Sequence, residues 1–171
     1  MSFKKPTRRQ VLLGSLATTV LAPLSYILSV TFGGYATRTG LKFLTSKEAA
    51  IAEALGEVMI PEENAIGVSI YQIDFANEVD RFLSVMPSHN RNGASLLFWI
   101  VEHLFPLRCF YFRKFTRLTI AERYKILSRF DESPSVGNRA LVRGLKAFVH
   151  LIYYNHPKVI GQIEIGKDCT K

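Results

Sequence analysis

LTSKEAAIAEALGEVMIP, residues 44–61, carries the start and the stop of a helix in its own side chains. Thr45 and Glu48 stand three apart, the spacing of a capping box. The threonine oxygen can accept from the backbone N–H three residues on, while the glutamate reaches back to the threonine's own N–H. Ala50, Ile51, Ala54, Leu55 and Val58 then recur at helical spacing, and Pro61 ends the run. The same grammar repeats downstream. Ser69 and Gln72 open a stripe of Ile70, Ile73, Ala76, Val79, Phe82, Leu83 and Met86 that ends at Pro87. A third apolar segment covers about residues 94–104 and is expected to stop at Pro106. Thr119 and Glu122 form another box, ahead of Tyr124, Leu127 and the stop signals at 131–134. The last run, about residues 136–154, places Leu141, Leu145, Phe148, Val149 and Ile152 on one stripe. Strand signals are scarce: Ile163-Glu164-Ile165 alternates but is short. Five amphipathic helices joined by connections of several residues predict an all-α fold, a small bundle. No repeat of fixed period and no low-complexity tract interrupts it.

Ahead of this domain, MSFKKPTRRQVLLGSLATTVL opens the chain with a basic head and an apolar body. Lys4, Lys5, Arg8 and Arg9 precede a run from Val11 onward that meets no charge until Arg38 and no acid until Glu48. That is the plan of an export signal. Thr7-Arg8-Arg9-Gln10-Val11-Leu12 resembles the Ser/Thr-Arg-Arg-x-apolar-Leu motif of twin-arginine signals, with Leu13 where lysine often stands. Residues 11–32 are long enough to span a bilayer, which takes about 20 apolar residues, although Gly14, Ser15, Thr18, Thr19, Pro23 and Ser25 dilute them. Gly34-Tyr35-Ala36 fits a cleavage site only loosely, so a cleaved signal and a retained membrane-anchor helix both fit the composition. The positive-inside rule puts residues 4–9 in the cytoplasm and the rest on the exported, periplasmic side. The expected division is therefore 1–36 as signal or anchor and 37–171 as the helical domain.

The domain's remaining length, about 135 residues, is the usual size of one domain with its own core. A hydrophobic content of 48% with 12% aromatics is ample for burial and argues against disorder. The formal charge of +8 is unevenly divided. Residues 38–102 hold five basic and nine acidic side chains, and residues 103–171 hold thirteen basic and five acidic ones. Such polarity can guide docking to a partner or an anionic surface, or simply be an uneven solvated face. No nucleic-acid-binding module is visible. The two cysteines, Cys109 and Cys169, can pair with each other, pair with another chain, or stay reduced, Cys109 as a buried thiol.

Motifs for chemistry are missing from the sequence. It has no phosphate-cradling glycine loop, no dinucleotide fingerprint and no Cys-x-x-Cys-His haem attachment. His89, His103, His150 and His156 form no zinc-protease pair. Glu102 and His103 are adjacent, and adjacent helical positions do not face each other. No catalytic, metal-binding or cofactor-binding residue is therefore expected. The aromatic and basic stretch 105–117 reads differently. Phe105, Phe110, Tyr111, Phe112 and Phe115 are interleaved there with Arg108, Arg113 and Lys114 and followed by Arg117. Aromatics with arginine are the composition of a protein interface, shared here with the demands of the core. Arg108, Cys109, Tyr111 and Arg113 are the candidate partner-facing residues.

Three stretches carry a resemblance that covers residues 44–166. They are Leu44-Thr45-Ser46-Lys47-Glu48-Ala49-Ala50, the helix end Glu57-Val58-Met59-Ile60-Pro61 with Gly67 in the loop behind it, and Tyr153-Tyr154-Asn155-His156-Pro157. In these the chain resembles the gluconate 2-dehydrogenase subunit 3 family, the small subunits of exported flavin dehydrogenases. The family's usual Gly-Tyr pair reads Ile152-Tyr153 here. The resemblance implies a non-catalytic small subunit that binds, stabilises and escorts a large FAD-dependent partner of the glucose-methanol-choline type, a sugar or alcohol dehydrogenase. It implies FAD in that partner and none in this chain, commonly a cytochrome c subunit alongside, and the twin-arginine translocase as the route. The competing expectation is a freestanding membrane-anchored helical protein of the envelope with a structural or binding role.

Overall fold

The first helix, α1 (Ser46–Met59), starts where its capping box predicts. The Glu48 N–H donates to Thr45 Oγ1 at 3.3 Å, and the Thr45 N–H donates to Glu48 Oε2 at 2.9 Å. The computed structural model describes residues 34–168, with side chains as far as Ile163. The motif at Arg8, Arg9, Val11 and Leu12, the apolar run behind it, and Cys169 lie outside the described residues. From α1 the chain passes through a 3₁₀ turn (Ile70–Ile73) into α2 (Phe75–Ser84) and then α3 (Ser88–Trp99). It continues through a π-helical turn (Ile100–Leu104) into the short α4 (Phe105–Arg108). A second 3₁₀ turn (Phe115–Arg117) leads to α5 (Ile120–Asp131), α6 (Val136–Tyr154) and α7 (Pro157–Asp168). The fold is all-helical, with no strand among the described residues.

Two sequence expectations are corrected. The stripe from Ile70 to Met86 is not one helix, because Asp74 adopts φ 45°, in the left-handed region, and separates the 3₁₀ turn from α2. Pro106 does not end the third segment, which starts earlier, at Ser88, and runs on to Arg108. The π turn shifts the pairing so that the Phe105 N–H bonds to the Ile100 carbonyl. Proline then sits in the first turn of α4, where its missing N–H matters least. The alternating tail at Ile163 lies within α7, continuing a helical run rather than pairing as a strand.

The core forms around α1, whose Ala49, Ile51, Ala52, Ala54, Leu55 and Gly56 are all buried. It packs against α2, α3, α5 and α6. Gly56 is where α1 meets the start of α2: a Cβ there would lie 3.1 Å from the Phe75 ring. Two polar devices hold the flanking loops onto this core. Buried Asp80 of α2 accepts the N–H groups of Lys42, Phe43 and Leu44 at 2.8, 2.8 and 2.6 Å, fixing the approach to α1. Tyr153, fully buried on α6, donates its hydroxyl to the Val68 carbonyl at 2.6 Å. The loop behind Pro61 folds around Asn64, whose side chain bonds to the Pro61 and Val68 carbonyls and accepts from Ile66 and Gly67. Two of the resemblance-bearing stretches, the helix-end loop and the late tyrosine segment, thus meet in one contact. The described residues from Ala36 onward belong to a single compact unit. No helix among the described residues is long and apolar enough to cross a membrane.

Candidate partner interface

The residues from Ile100 to Arg117 build one structure from the inside out. Glu102 lies in the π turn with no exposed surface. Its carboxyl accepts the Thr116 hydroxyl at 2.7 Å and the Thr116 N–H at 3.1 Å. Lys114, also buried, is pushed down in pKa by burial, and the negative charge of Glu102 opposes that push. Thr116 is held a second time. Arg123, buried on α5, donates to the carbonyls of Phe115 at 3.0 Å, Thr116 at 2.9 Å and Ala54 at 3.4 Å, and forms an ion pair with Glu57 of α1. Glu57 also accepts the Tyr71 hydroxyl at 2.7 Å, a bond that pushes the phenol up to about 12. With the Phe115 ring wholly buried as well, the far end of the 109–114 loop is anchored by side chain and backbone together.

Glu102 and His103 point to different partners, as their adjacency predicts. His103 lies 3.0 Å from Lys47 Nζ of α1 through Nε2. An ammonium only donates, so Nε2 accepts and the ring proton sits on Nδ1. Burial, with Lys47 and Lys114 adding to it, pushes His103 down to about 4, so the imidazole is neutral at pH 7. Glu102 and His103 do not converge on one reacting centre. His150 lines a cleft of about 250 Å³ with Val58, Met59, Leu127, Asp131 and Lys146, where Lys146 and Asp131 pair at 2.7 Å. Among the described residues, no group of three His, Cys, Asp or Glu side chains is arranged to hold a metal.

The loop itself faces outward. Of the four partner-facing candidates, Arg108 and Arg113 are exposed, whereas Cys109 and Tyr111 are half-buried and pack against the core. Burial raises the Cys109 thiol pKa, with Arg129 and Arg108 opposing. Arg108 lies over the Phe130 ring at 5.9 Å, itself stacked on Phe105 at 4.1 Å, so its position is set by α4 and α5. Arg113 reaches Glu122 at 3.4 Å, an exposed pair that contributes little to stability. Among the described residues the most exposed aromatics are Phe110 at 75% and Phe112 at 82%, which the sequence placed in the aromatic–basic stretch but not among the four partner-facing candidates. Leu107, and Trp99 and Leu96 on the preceding helix, are exposed by half or more. The missed signal is positional: Phe110 follows the last residues of a helix, where glycine is the common choice.

Solvent-facing aromatic side chains beside arginines are suited to docking on another molecule; an exposed apolar group otherwise costs solubility. Comparison with protein-family models, with curated proteins and with solved structures finds no match to this chain.

Proposed function

We propose that this chain is a non-catalytic small subunit that binds, stabilises and escorts a large FAD-dependent dehydrogenase of the glucose-methanol-choline type, carrying it through the twin-arginine route to the periplasm. The observation that carries the proposal is the anchored 109–114 loop, which sets Phe110 and Phe112 in solvent between Arg108 and Arg113. The Arg8–Arg9 leader supports the export half of the reading, and the three resemblance-bearing stretches support the partner half. In this reading FAD and the oxidation of a sugar or alcohol belong to the large subunit, which takes its export address from the small one. A folded, cofactor-loaded cargo is the kind the twin-arginine route transports, and a cytochrome c subunit would receive its electrons.

The test is first whether a large flavoprotein of the glucose-methanol-choline type, lacking an export signal of its own, is encoded beside this chain, and then co-expression of the full chain with it. The expected result is a stable one-to-one complex whose flavin absorbance and activity travel with the large subunit, while the small chain purified alone is colourless and inert. Bound flavin or haem in this chain alone, or turnover of a sugar by it, would overturn the proposal. Extraction as a lone membrane-anchored protein, with no flavoprotein bound under any condition, would favour the freestanding envelope role instead.

A further inference from the structure

The turn that ends α4 contains a residue that the fold itself does not favour. The Tyr111 N–H bonds to the Pro106 carbonyl at 2.9 Å and the Phe110 N–H to the Leu107 carbonyl at 3.0 Å. These are the two bonds of a Schellman motif, whose penultimate residue must be left-handed. Phe110 occupies that position with φ 62°. Glycine ordinarily stands there because a side chain's Cβ crowds the following carbonyl, and a bulky aromatic is a poor substitute. Packing does not compensate, since three quarters of Phe110 is in solvent. A glycine would make the same two hydrogen bonds with less strain. Local strain combined with an exposed ring points to a role outside the isolated fold.

We propose that Phe110 is the anchor of this surface, its ring entering an apolar pocket on the flavoprotein subunit whose rim carries carboxylates that meet Arg108 and Arg113. The inference rests on the small-subunit reading above. Charge complementarity selects the occupant: exposed Arg108 and Arg113 flank the ring, and residues 107–117 hold no acid. The backbone selects a protein pocket over a lipid surface. A bilayer interface accepts an aromatic side chain in many orientations, whereas a pocket needs one fixed direction, which the left-handed turn and the anchored loop supply. Phe112 would lie on the rim beside the pocket.

The experiment uses the full chain in mild detergent, alone and co-expressed with the flavoprotein that the test above identifies, as wild type, Phe110→Gly and Phe110→Ala. Phe110→Gly should raise the melting temperature of the chain alone by about 2–6 °C, because it relieves the turn. It should also weaken the complex by about 30-fold or more, the loss typical of an anchor residue. Phe110→Ala keeps the crowded Cβ, so it should weaken the complex equally without raising the melting temperature. A wild-type chain that forms no complex overturns the small-subunit reading and this inference with it. A wild-type complex that both variants match in affinity overturns the anchor alone. A lower melting temperature for Phe110→Gly would show the ring packing on its own fold and overturn it too. So would a complex left intact while the variants lose self-association in sedimentation, or lose binding to phosphatidylglycerol vesicles; those results assign the ring to a second copy or to a lipid surface.

Discussion

Asp80 concentrates more of the fold on one side chain than any capping residue does. Its two oxygens accept three successive backbone N–H groups, Lys42 to Leu44, from a position 36–38 residues further along the chain. Burial alone would raise its pKa, but the three N–H donors outweigh it and hold the carboxyl below the ordinary aspartate value. A depressed folded pKa contributes stability above the unfolded value of ~3.9, lost as pH falls through the folded value. Acid unfolding should therefore begin below about pH 4, and the Asp80→Asn variant should show a weaker dependence there. At pH 7, Asp80→Ala is expected to cost about 2–4 kcal/mol in urea titration, since it strands three donors. Asp80→Asn should cost less, because its amide oxygen still serves Phe43 and Leu44 while its NH₂ faces the Lys42 N–H. Arg123 has the same character. Arg123→Lys keeps the charge but loses the planar fork that serves two neighbouring carbonyls and Glu57 at once, so a loss of about 2–4 kcal/mol is expected by the same measurement. Neither role was legible in the sequence, because the partners of Arg123 on α1 lie 66 and 69 residues away. The caps at Thr45 and Thr119 were legible because each closes its bonds within three residues.

At the scale of elements, the π turn governs the surface. One extra residue per turn between α3 and α4 carries the helix past Pro106 and buries Glu102 where it can hold Thr116. The 109–114 loop that follows α4 is thereby closed at both ends, by the Schellman turn at Phe110 and by the Glu102–Thr116 bonds. Glu102→Ala would leave Lys114 buried without its opposing charge and Thr116 without its acceptor. A loss of about 3–5 kcal/mol is expected, with faster amide exchange across residues 109–117. Glu102→Gln keeps an acceptor for Thr116 and should cost less. This element also marks what periodicity could and could not read. Five helical stretches were legible because their apolar stripes and caps are local. The continuation through Pro106 was not, since a proline reads as a stop unless the pairing has already shifted. The break at Asp74 was missed because a left-handed aspartate carries no periodic signal. The candidate surface was legible as a composition of aromatics and arginines. Which of them face water depends on a chain reversal at Phe110, and composition alone pointed to Tyr111 and Cys109, which lean on the core.

For the molecule as a whole, sequence charge divides into an acidic first part and a basic second part, net −4 over residues 38–102 and net +8 over residues 103–171. The exposed 109–114 loop belongs to the basic part, and residues 1–36 add four cations of their own. These two basic features have separable purposes in the proposed function: one holds a partner, the other addresses the pair for export. The leader is tested by a change that conserves its charge. Replacing Arg8 and Arg9 with lysines leaves the positive-inside signal intact, because that rule counts cations regardless of type. It removes two guanidinium forks able to engage acidic groups bidentately, which an ammonium cannot reproduce. If the pair is a twin-arginine address, the double variant should strand both subunits in the cytoplasm while their complex still assembles there. Cell fractionation of the two subunits, with flavin fluorescence marking the large one, measures this directly. A Phe110→Gly chain should behave oppositely, reaching the periplasm alone while its partner stays behind. Normal periplasmic delivery of both subunits by the lysine variant would sink the twin-arginine reading, leaving the leader as an orientation signal only.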